Sequence, residues 1–347
     1  MKPFELSDNR QAALGGGSGP GNRHSSYLAI ADAEVAAMLS PSMAREAVRD
    51  AFLCHARGDY VQPLKPYLYP RGRKKMLSAG RFIAMPGYLG DPVNMAGIKW
   101  IGSMPANIDC GLPRASGLLI LNDPLTALPV AVVECATLSA RRTAAMAALA
   151  VAHLAPEEPL RVAIIGAGPI GEAVVDALAD VCDNVIEIRL HDLRGARAEA
   201  LANAARDGKS QCIITHSSAK ACVCDANVVI TATTGAQPGY LKLSWLSQAS
   251  LIIPLSLDDC EPAVLLAADK VIVDDWDQSN REEKLLHRLT QSGAFSRNDL
   301  YSEFGQIVAG NAPGREGEEM IYFNAMGQAL LDISAGASVF RASTRNP

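Results

Sequence analysis

The hydrophobic pattern changes character twice along the chain. Between residues 60 and 135, apolar residues come in short runs broken by proline and glycine. The runs are Tyr67-Leu68-Tyr69, Arg81-Phe-Ile-Ala-Met, Ala96-Gly-Ile-Lys-Trp-Ile101, Ala115-Ser-Gly-Leu-Leu-Ile-Leu121 and Pro129-Val-Ala-Val-Val-Glu134. They predict an antiparallel sheet with tight turns such as Asn122-Asp-Pro124. From residue 161 onward, apolar runs alternate with helical stretches. Strands are predicted at 161–165, 185–191, 211–215, 227–232, 249–255 and 270–275, with helices between them, such as the alanine-rich 195–206. Six strands in such alternation imply a doubly wound parallel sheet, so the fold class is α/β with a second, α+β unit before it.

Helical periodicity fills in the rest. Ser40-Pro41 reads as an N-cap followed by proline at the first helical position. The helix it opens, about 41–57, has Met43, Ala47, Val48, Ala51 and Phe52 on one face and Gly58 at its end. Leu138–Leu154 is alanine-rich and predicts a long helix crossing between two domains. A charged helix is predicted at roughly 278–291, and a terminal helix at about 325–340. With no strand to follow, the terminal helix is expected to pack back on the first domain. The resulting divisions are a glycine-rich lead-in (1–26), a first domain (27–140), an alternating α/β domain (141–314) and a returning segment (315–347).

Composition narrows the class without changing the fold. The 347 residues are 49% hydrophobic and 20% charged, with a formal net charge of −5. That is an ordinary globular balance, and it argues against nucleic acid or an anionic membrane as partner. Eight cysteines are scattered without a C-x-x-C pair, which reads as free thiols in a reducing, cytoplasmic setting. No apolar run reaches the length of a membrane span, and the N-terminus has no signal-peptide core.

One stretch carries chemistry outright. Arg161-Val-Ala-Ile-Ile reads as a buried strand; Gly166, Gly168 and Gly171 then form G-x-G-x-x-G. A helix follows, with Ile170, Val174, Val175, Leu178 and Val181 on one face. In this context Gly166 makes the tight turn and Gly168 lets a pyrophosphate approach the backbone. Gly171 lets the helix pack on the strand, and the helix N-terminus faces the phosphates. Asp192 ends the next strand, 21 residues after Gly171, where a carboxylate binds the ribose 2′-hydroxyl and repels a 2′-phosphate. NAD is therefore the expected cofactor, with Arg194 the one nearby group that could favour NADP. Pro169 and Ile170 inside the motif, and Thr231 in the strand over 227–232, complete the expected cofactor contacts.

Other residues are open to two readings each. Asp258-Asp259 follow the run Leu251–Leu255 at the carboxyl end of a strand, as a proton-transfer group beside a nicotinamide or as a loop acid or cap. Lys99 is either an edge-strand lysine pointing to water or an anion anchor in a cleft. Arg81 is equally ambiguous. Arg141-Arg142 begin an otherwise apolar helix, where cations oppose the macrodipole and call for an anionic partner; salt-bridged surface arginines are the alternative. Asp274-Asp275 read as helix capping, since no histidine or cysteine stands at metal-ligand spacing.

Together these segments resemble the ornithine cyclodeaminase/mu-crystallin family. The carriers are Gly97-Ile-Lys-Trp, Leu121-Asn-Asp-Pro-Leu-Thr, Arg142-Thr-Ala-Ala, Gly166-Ala-Gly-Pro-Ile-Gly, Asp259-Cys and Asn324-Ala-Met-Gly with Asp332. The resemblance implies a homodimer whose first, sheet domain (27–140) binds substrate and dimerises, and whose second domain (141–314) binds a dinucleotide. Arg81-Phe-Ile-Ala-Met-Pro, Val273-Asp-Asp-Trp-Asp-Gln-Ser-Asn-Arg-Glu and Pro313-Gly-Arg-Glu are closer to one branch. Its members oxidise N-(2-amino-2-carboxyethyl)-L-glutamate with NAD, giving L-2,3-diaminopropionate and 2-oxoglutarate for siderophore or peptide-antibiotic precursors. Carried over, Arg81, Lys99 and Arg142 hold the carboxylates of an amino-acid conjugate, and Lys99 also counts among the catalytic residues. Asp259 is the acid/base, and Thr143 lies near the cofactor phosphates; no metal is implied. Where ornithine cyclodeaminases have glycines before the acid, this chain has Leu257-Asp258. The family's other activities remain the alternatives: ornithine cyclodeamination, imine or keto-acid reduction, or non-catalytic dinucleotide binding as in mu-crystallin.

Overall fold

Two sheets organise the chain in the computed structural model, which describes residues 27–70, 80–206, 212–234 and 237–345. The glycine-rich lead-in lies outside the described residues. The first sheet contains β1 (Leu28–Ile30), β2 (Tyr60–Val61), β3 (Tyr67–Leu68), β4 (Arg81–Leu89), β5 (Met95–Ser103), β6 (Ala115–Asn122) and β7 (Pro129–Glu134). Its order is β1-β7-β6-β5-β4-β2, with β3 also on β4. Strands β4 to β7 are antiparallel neighbours, and β1 joins β7 in parallel. Alternation along the strands buries Met85, Leu119, Leu121, Ala131 and Val133 on one face. Phe82, Trp100, Leu118 and Ile120 point the other way and stay exposed.

Helices α1 (Asp32–Met38), α2 (Pro41–Arg57) and α3 (Ala136–Leu154) come from this half. Ser40 caps α2 by accepting a hydrogen bond from the Met43 amide at 3.1 Å, Pro41 opens it, and Gly58 closes it at φ 70°. Such a cap is worth about 1 kcal/mol. Helix α3 starts two residues before the predicted Leu138. Arg141 and Arg142 therefore stand in its second turn, away from the free amides of its first turn. That corrects the placement on which the macrodipole argument rested.

The second sheet is wholly parallel and has eight strands among the described residues: β8 (Leu160–Ile165), β9 (Val185–His191), β10 (Cys212–Thr215), β11 (Val228–Thr231), β12 (Leu251–Pro254), β13 (Lys270–Val273), β14 (Ser302–Glu303) and β15 (Ile321–Asn324). Helices α4 (Pro169–Val181), α5 (Gly195–Arg206), α6 (Ala219–Val223), α7 (Pro262–Leu266), α8 (Trp276–Ser279), α9 (Leu285–Gln291) and α10 (Phe304–Val308) connect them. The order β10-β9-β8-β11-β12-β15-β13-β14 reverses direction at β8. The crevice at the carboxyl ends of β8 and β11 is thus the binding position of a doubly wound sheet.

Three expectations are corrected here. Strands β14 and β15 add to the six predicted, and β15 inserts between β12 and β13. The terminal helix α11 (Ala329–Arg345) therefore follows a strand, and begins four residues later than predicted. The helix predicted over 278–291 is broken after Ser279 and restarts at Leu285, with Glu282 and Glu283 at φ 64° and 56° between the two parts. Helix α11 lies against α2, β4, β5 and β6. That brings its buried Asp332 under the first sheet.

Candidate active site

The glycine turn after β8 is shaped as its sequence demands. Gly166 has φ 110°, and a Cβ there would stand 2.5 Å from the Ala232 carbonyl oxygen. A Cβ on Gly171 would stand 1.9 Å from the Gly166 oxygen, so only glycine lets α4 approach β8 this closely. A Cβ on Gly168 would meet nothing within 4 Å. The space beside Gly168 is open where a pyrophosphate belongs. Gly168 is also the N-cap of α4, with Pro169 in its first turn, so the free amides of that turn face the opening. Asp192 accepts the Ala167 amide at 2.9 Å and the Arg194 amide at 2.8 Å. It thereby ties the end of β9 to the glycine loop and stays partly exposed. Arg194 lies 3.8 Å from Asp109, largely in solvent. Thr231 is fully buried at the end of β11, and its hydroxyl has no partner among the described residues. The open space at Gly168 and this orphaned hydroxyl fit a dinucleotide.

Asp258 and Asp259 diverge. Asp258 lies 2.8 Å from Arg288 and 3.9 Å from Lys284. Asp259 is buried and accepts the Thr233 hydroxyl at 2.9 Å through Oδ1. Its Oδ2 has no partner among the described residues. Thr233 donates its amide to Ser256 at 2.7 Å and directly follows Ala232, on which Gly166 packs. Asp259 is thus fixed next to the cofactor turn with one oxygen uncommitted. Leu257, just before this pair, sits in the left-handed region at φ 70°. Glycine adopts that conformation freely, whereas leucine adopts it under strain.

Lys99 is on β5, a central strand, and is 1% exposed. The edge-strand reading is therefore excluded. Its Nζ lies 2.7 Å from Asp332 Oδ2 and 3.4 Å from the Ser139 hydroxyl. Arg142 Nε reaches the other oxygen of Asp332 at 2.8 Å. Burial pulls the Lys99 ammonium below its ordinary pKa, Arg142 acts the same way, and Asp332 opposes both. Arg141 instead donates to the Ala36 and Leu39 carbonyls at 2.7 and 2.6 Å, a structural role at the end of α1. Thr143 donates its hydroxyl to the Ser139 carbonyl at 2.7 Å. Arg81 does not join the Lys99–Arg142 group; its guanidinium lies 5.2 Å over the Tyr67 ring.

Sequence reasoning missed Lys65. It is buried and donates to the Gly327 carbonyl at 2.7 Å. Burial, with Arg142, Lys99 and Arg281 nearby, holds its pKa down to about 8 against the pull of Asp274. Gly327 lies in the left-handed region at φ 80°, directly against the Arg142 guanidinium. Asp274 in turn accepts the amides of Met326 and Gly327 at 3.1 and 2.6 Å, and Gln328 donates to its carbonyl. Asp275 caps α8 by accepting the Gln278 amide at 2.7 Å. Nothing in Leu64-Lys65-Pro66 marks a buried cation; only the fold does. Among the described residues no three His, Cys, Asp or Glu groups gather to hold a metal, and all eight cysteines are free thiols. No helix of the described residues is long and apolar enough to cross a membrane.

The described residues therefore hold a buried cationic corner (Lys99, Arg142, Lys65), a glycine turn shaped for a dinucleotide and one acid with an uncommitted oxygen. The sequence model of the ornithine cyclodeaminase/mu-crystallin family matches residues 26–345. The chain is 37% identical over 323 residues to N-((2S)-2-amino-2-carboxyethyl)-L-glutamate dehydrogenase of Staphylococcus aureus, covering 92% of this chain and 96% of that one. Among solved structures, an archaeal alanine dehydrogenase dimer with bound NAD superposes with a TM-score of 0.79 at 26% identity, covering 92% and 97%. The fold is also that of Δ1-pyrroline-2-carboxylate reductase from Thermococcus litoralis, with a TM-score of 0.83 at 24% identity, covering 92% and 98%.

Proposed function

The chain belongs to the ornithine cyclodeaminase/mu-crystallin family, and on that premise we propose that it is an NAD-dependent dehydrogenase acting on a secondary amine that joins two amino acids. The substrate is N-(2-amino-2-carboxyethyl)-L-glutamate; the products are L-2,3-diaminopropionate and 2-oxoglutarate, for a siderophore or peptide-antibiotic precursor. The dehydrogenase class and the substrate are supported by the 37% identity to the staphylococcal enzyme along nearly all of both chains. The single observation that carries the mechanism is Asp259, held by Thr233 on one oxygen and free on the other.

When bound at Gly166–Gly171, with Asp192 on its adenosine ribose, NAD supplies the hydride acceptor. Everything else falls to the chain. Lys99 and Arg142 hold an α-carboxylate and set the Cα–H toward the cofactor face of the cleft. Asp259 accepts the amine proton as the Cα–N bond becomes an imine, then releases it to solvent. As a carboxylate again, it takes a proton from the water that adds to the imine carbon and gives it to the nitrogen, forming a carbinolamine. It then takes the carbinol hydroxyl proton and passes it to the nitrogen as the C–N bond breaks, leaving the 2-oxo acid and a primary amine. Residues 27–140 with 315–347 form the substrate half and residues 141–314 the dinucleotide half. Two copies associate through the exposed face of the first sheet.

Purified protein with NAD is expected to generate the absorbance of reduced nicotinamide with this conjugate, and not with L-ornithine or L-alanine. Asp259→Asn should keep cofactor binding and lose turnover by roughly 100-fold or more, the scale of a general acid/base. Asp258→Asn should cost much less, because its partners are Arg288 and Lys284. Faster turnover of ornithine by the wild type, or near-normal rates in Asp259→Asn, would overturn the reading.

A further inference from the structure

The loop between α8 and α9 brings cations of the dinucleotide half up to Arg81 of the first sheet. Arg281 lies 5.5 Å from the centre of the same Tyr67 ring that Arg81 overlies at 5.2 Å. Two guanidiniums on one ring repel each other, and the aromatic face offsets only part of that. Arg281 has Glu282 3.6 Å away, and its side chain is 19% exposed. Its Nη1 is buried without a hydrogen-bond partner among the described residues. A buried donor left unmet is costly and marks a place for an acceptor. Arg81 is a hydrogen-bond partner of the Tyr69 hydroxyl, which itself donates to Glu282 at 3.2 Å. Lys284, on the same loop, is within electrostatic reach of Arg81, Asp258 and Asp259. The loop holds Glu282 and Glu283 in the left-handed region, a conformation that costs on the order of 1 kcal/mol or more per residue and persists only where the surroundings enforce it.

We infer that Arg281 and Arg81, framing Tyr67 from the two halves of the molecule, form the subsite for the carboxylate of the substrate remote from the reacting carbon. Arg281 is then a specificity-determining residue. This rests on the dehydrogenase reading above and extends it. A single Asp332 serves both Lys99 and Arg142 at one end. A second pair of cations, with Glu282 beside Arg281, gathers at the Arg81–Arg281 end. Lys65 is within electrostatic reach of Lys99 and Arg142 and also of Arg281. A ligand with carboxylates at both ends spans the two groups, and a single amino acid does not. A planar guanidinium pair suits a carboxylate better than an amide, because each can donate two parallel hydrogen bonds.

The test compares the glutamyl conjugate with its glutaminyl counterpart, in which a neutral carboxamide of the same shape replaces the remote carboxylate. Wild type should prefer the glutamyl conjugate by roughly 10- to 100-fold in kcat/KM. Arg281→Ala should lose that preference by slowing only the glutamyl reaction, with the binding of NADH unchanged. Arg281→Lys should fall between the two, since lysine keeps the charge and not the fork. A wild type that turns over both conjugates equally, or an Arg281→Ala that keeps the wild-type preference, would overturn the subsite and leave the dehydrogenase reading standing. Should Arg281→Ala fail to bind NADH, Arg281→Lys decides, and an undiminished preference there overturns the subsite. A wild type that binds NADH and oxidises neither conjugate refutes the parent reading itself.

Discussion

Lys65, Lys99 and Arg142 share one buried neighbourhood with two carboxylates, Asp274 and Asp332. Three positive and two negative charges leave one cation's worth unanswered, which suits one substrate carboxylate. Counting Arg81, Lys99 and Arg142 as three unpaired anchors, as the sequence alone invites, omits Asp332. That aspartate arrives on a helix 233 residues after Lys99, and no local pattern announces the pair. Lys65 makes the neighbourhood testable by pH. Its folded pKa of about 8 lies below the ordinary 10.5. Below pH 8 both states are protonated, and the cost of the buried charge is present in full. Between about 8 and 10.5 the unfolded chain carries a proton that the folded one lacks, so this group's contribution to stability rises with pH. Urea unfolding of wild type and Lys65→Met at pH 7 and 9.5 should show the wild type gaining on the variant by on the order of 2 kcal/mol over that span. A difference independent of pH would mean that Lys65 keeps an ordinary pKa.

At the scale of the element, the glycine turn separates two roles that sequence reading assigned to neighbouring residues. Gly171 is needed for packing, since a Cβ there meets the Gly166 carbonyl; Gly168 faces open space. Gly171→Ala should therefore lower the unfolding midpoint, by roughly 1–3 kcal/mol of overpacking. Gly168→Ala should leave stability unchanged and weaken NADH binding, read by the fluorescence of the bound nucleotide. Equal stability losses in both variants would show that Gly168 also packs. The turn was legible because its whole signature lies within one strand, one loop and one helix. Strand β15 was not, because four residues between a glycine-rich loop and a helix give no period, and their place between β12 and β13 is decided by crossovers. The break between α8 and α9 was hidden too. Glu282-Glu283-Lys284 has good helical propensity, and tertiary contacts that hold Glu282 beside Tyr69 and Arg281 override it.

On the scale of the whole molecule, the first sheet divides inside from outside along a single strand. Lys99 of β5 is buried against Asp332, whereas Trp100, its neighbour, is 42% exposed on the opposite face. Trp100 stacks on Phe82 at 5.5 Å and stands across from Leu118 of β6, which is 46% exposed. Ile120 extends the same surface. An apolar sheet face this continuous is the surface through which we propose that two copies associate, since face-to-face packing would bury it. Leu118→Glu puts a charge at the centre of that face without touching the buried side, where Leu119 packs. Burying an unpaired carboxylate costs several kcal/mol, so sedimentation at micromolar concentration should show a dimer for wild type and a monomer for the variant. The variant's affinity for NADH should not change, because the glycine turn belongs to the other sheet. Its turnover should fall, because the face it opens is the back of the strands that carry Lys99 and Arg81. A wild type that sediments as a monomer, or a Leu118→Glu variant that remains a dimer, would move the interface away from this sheet.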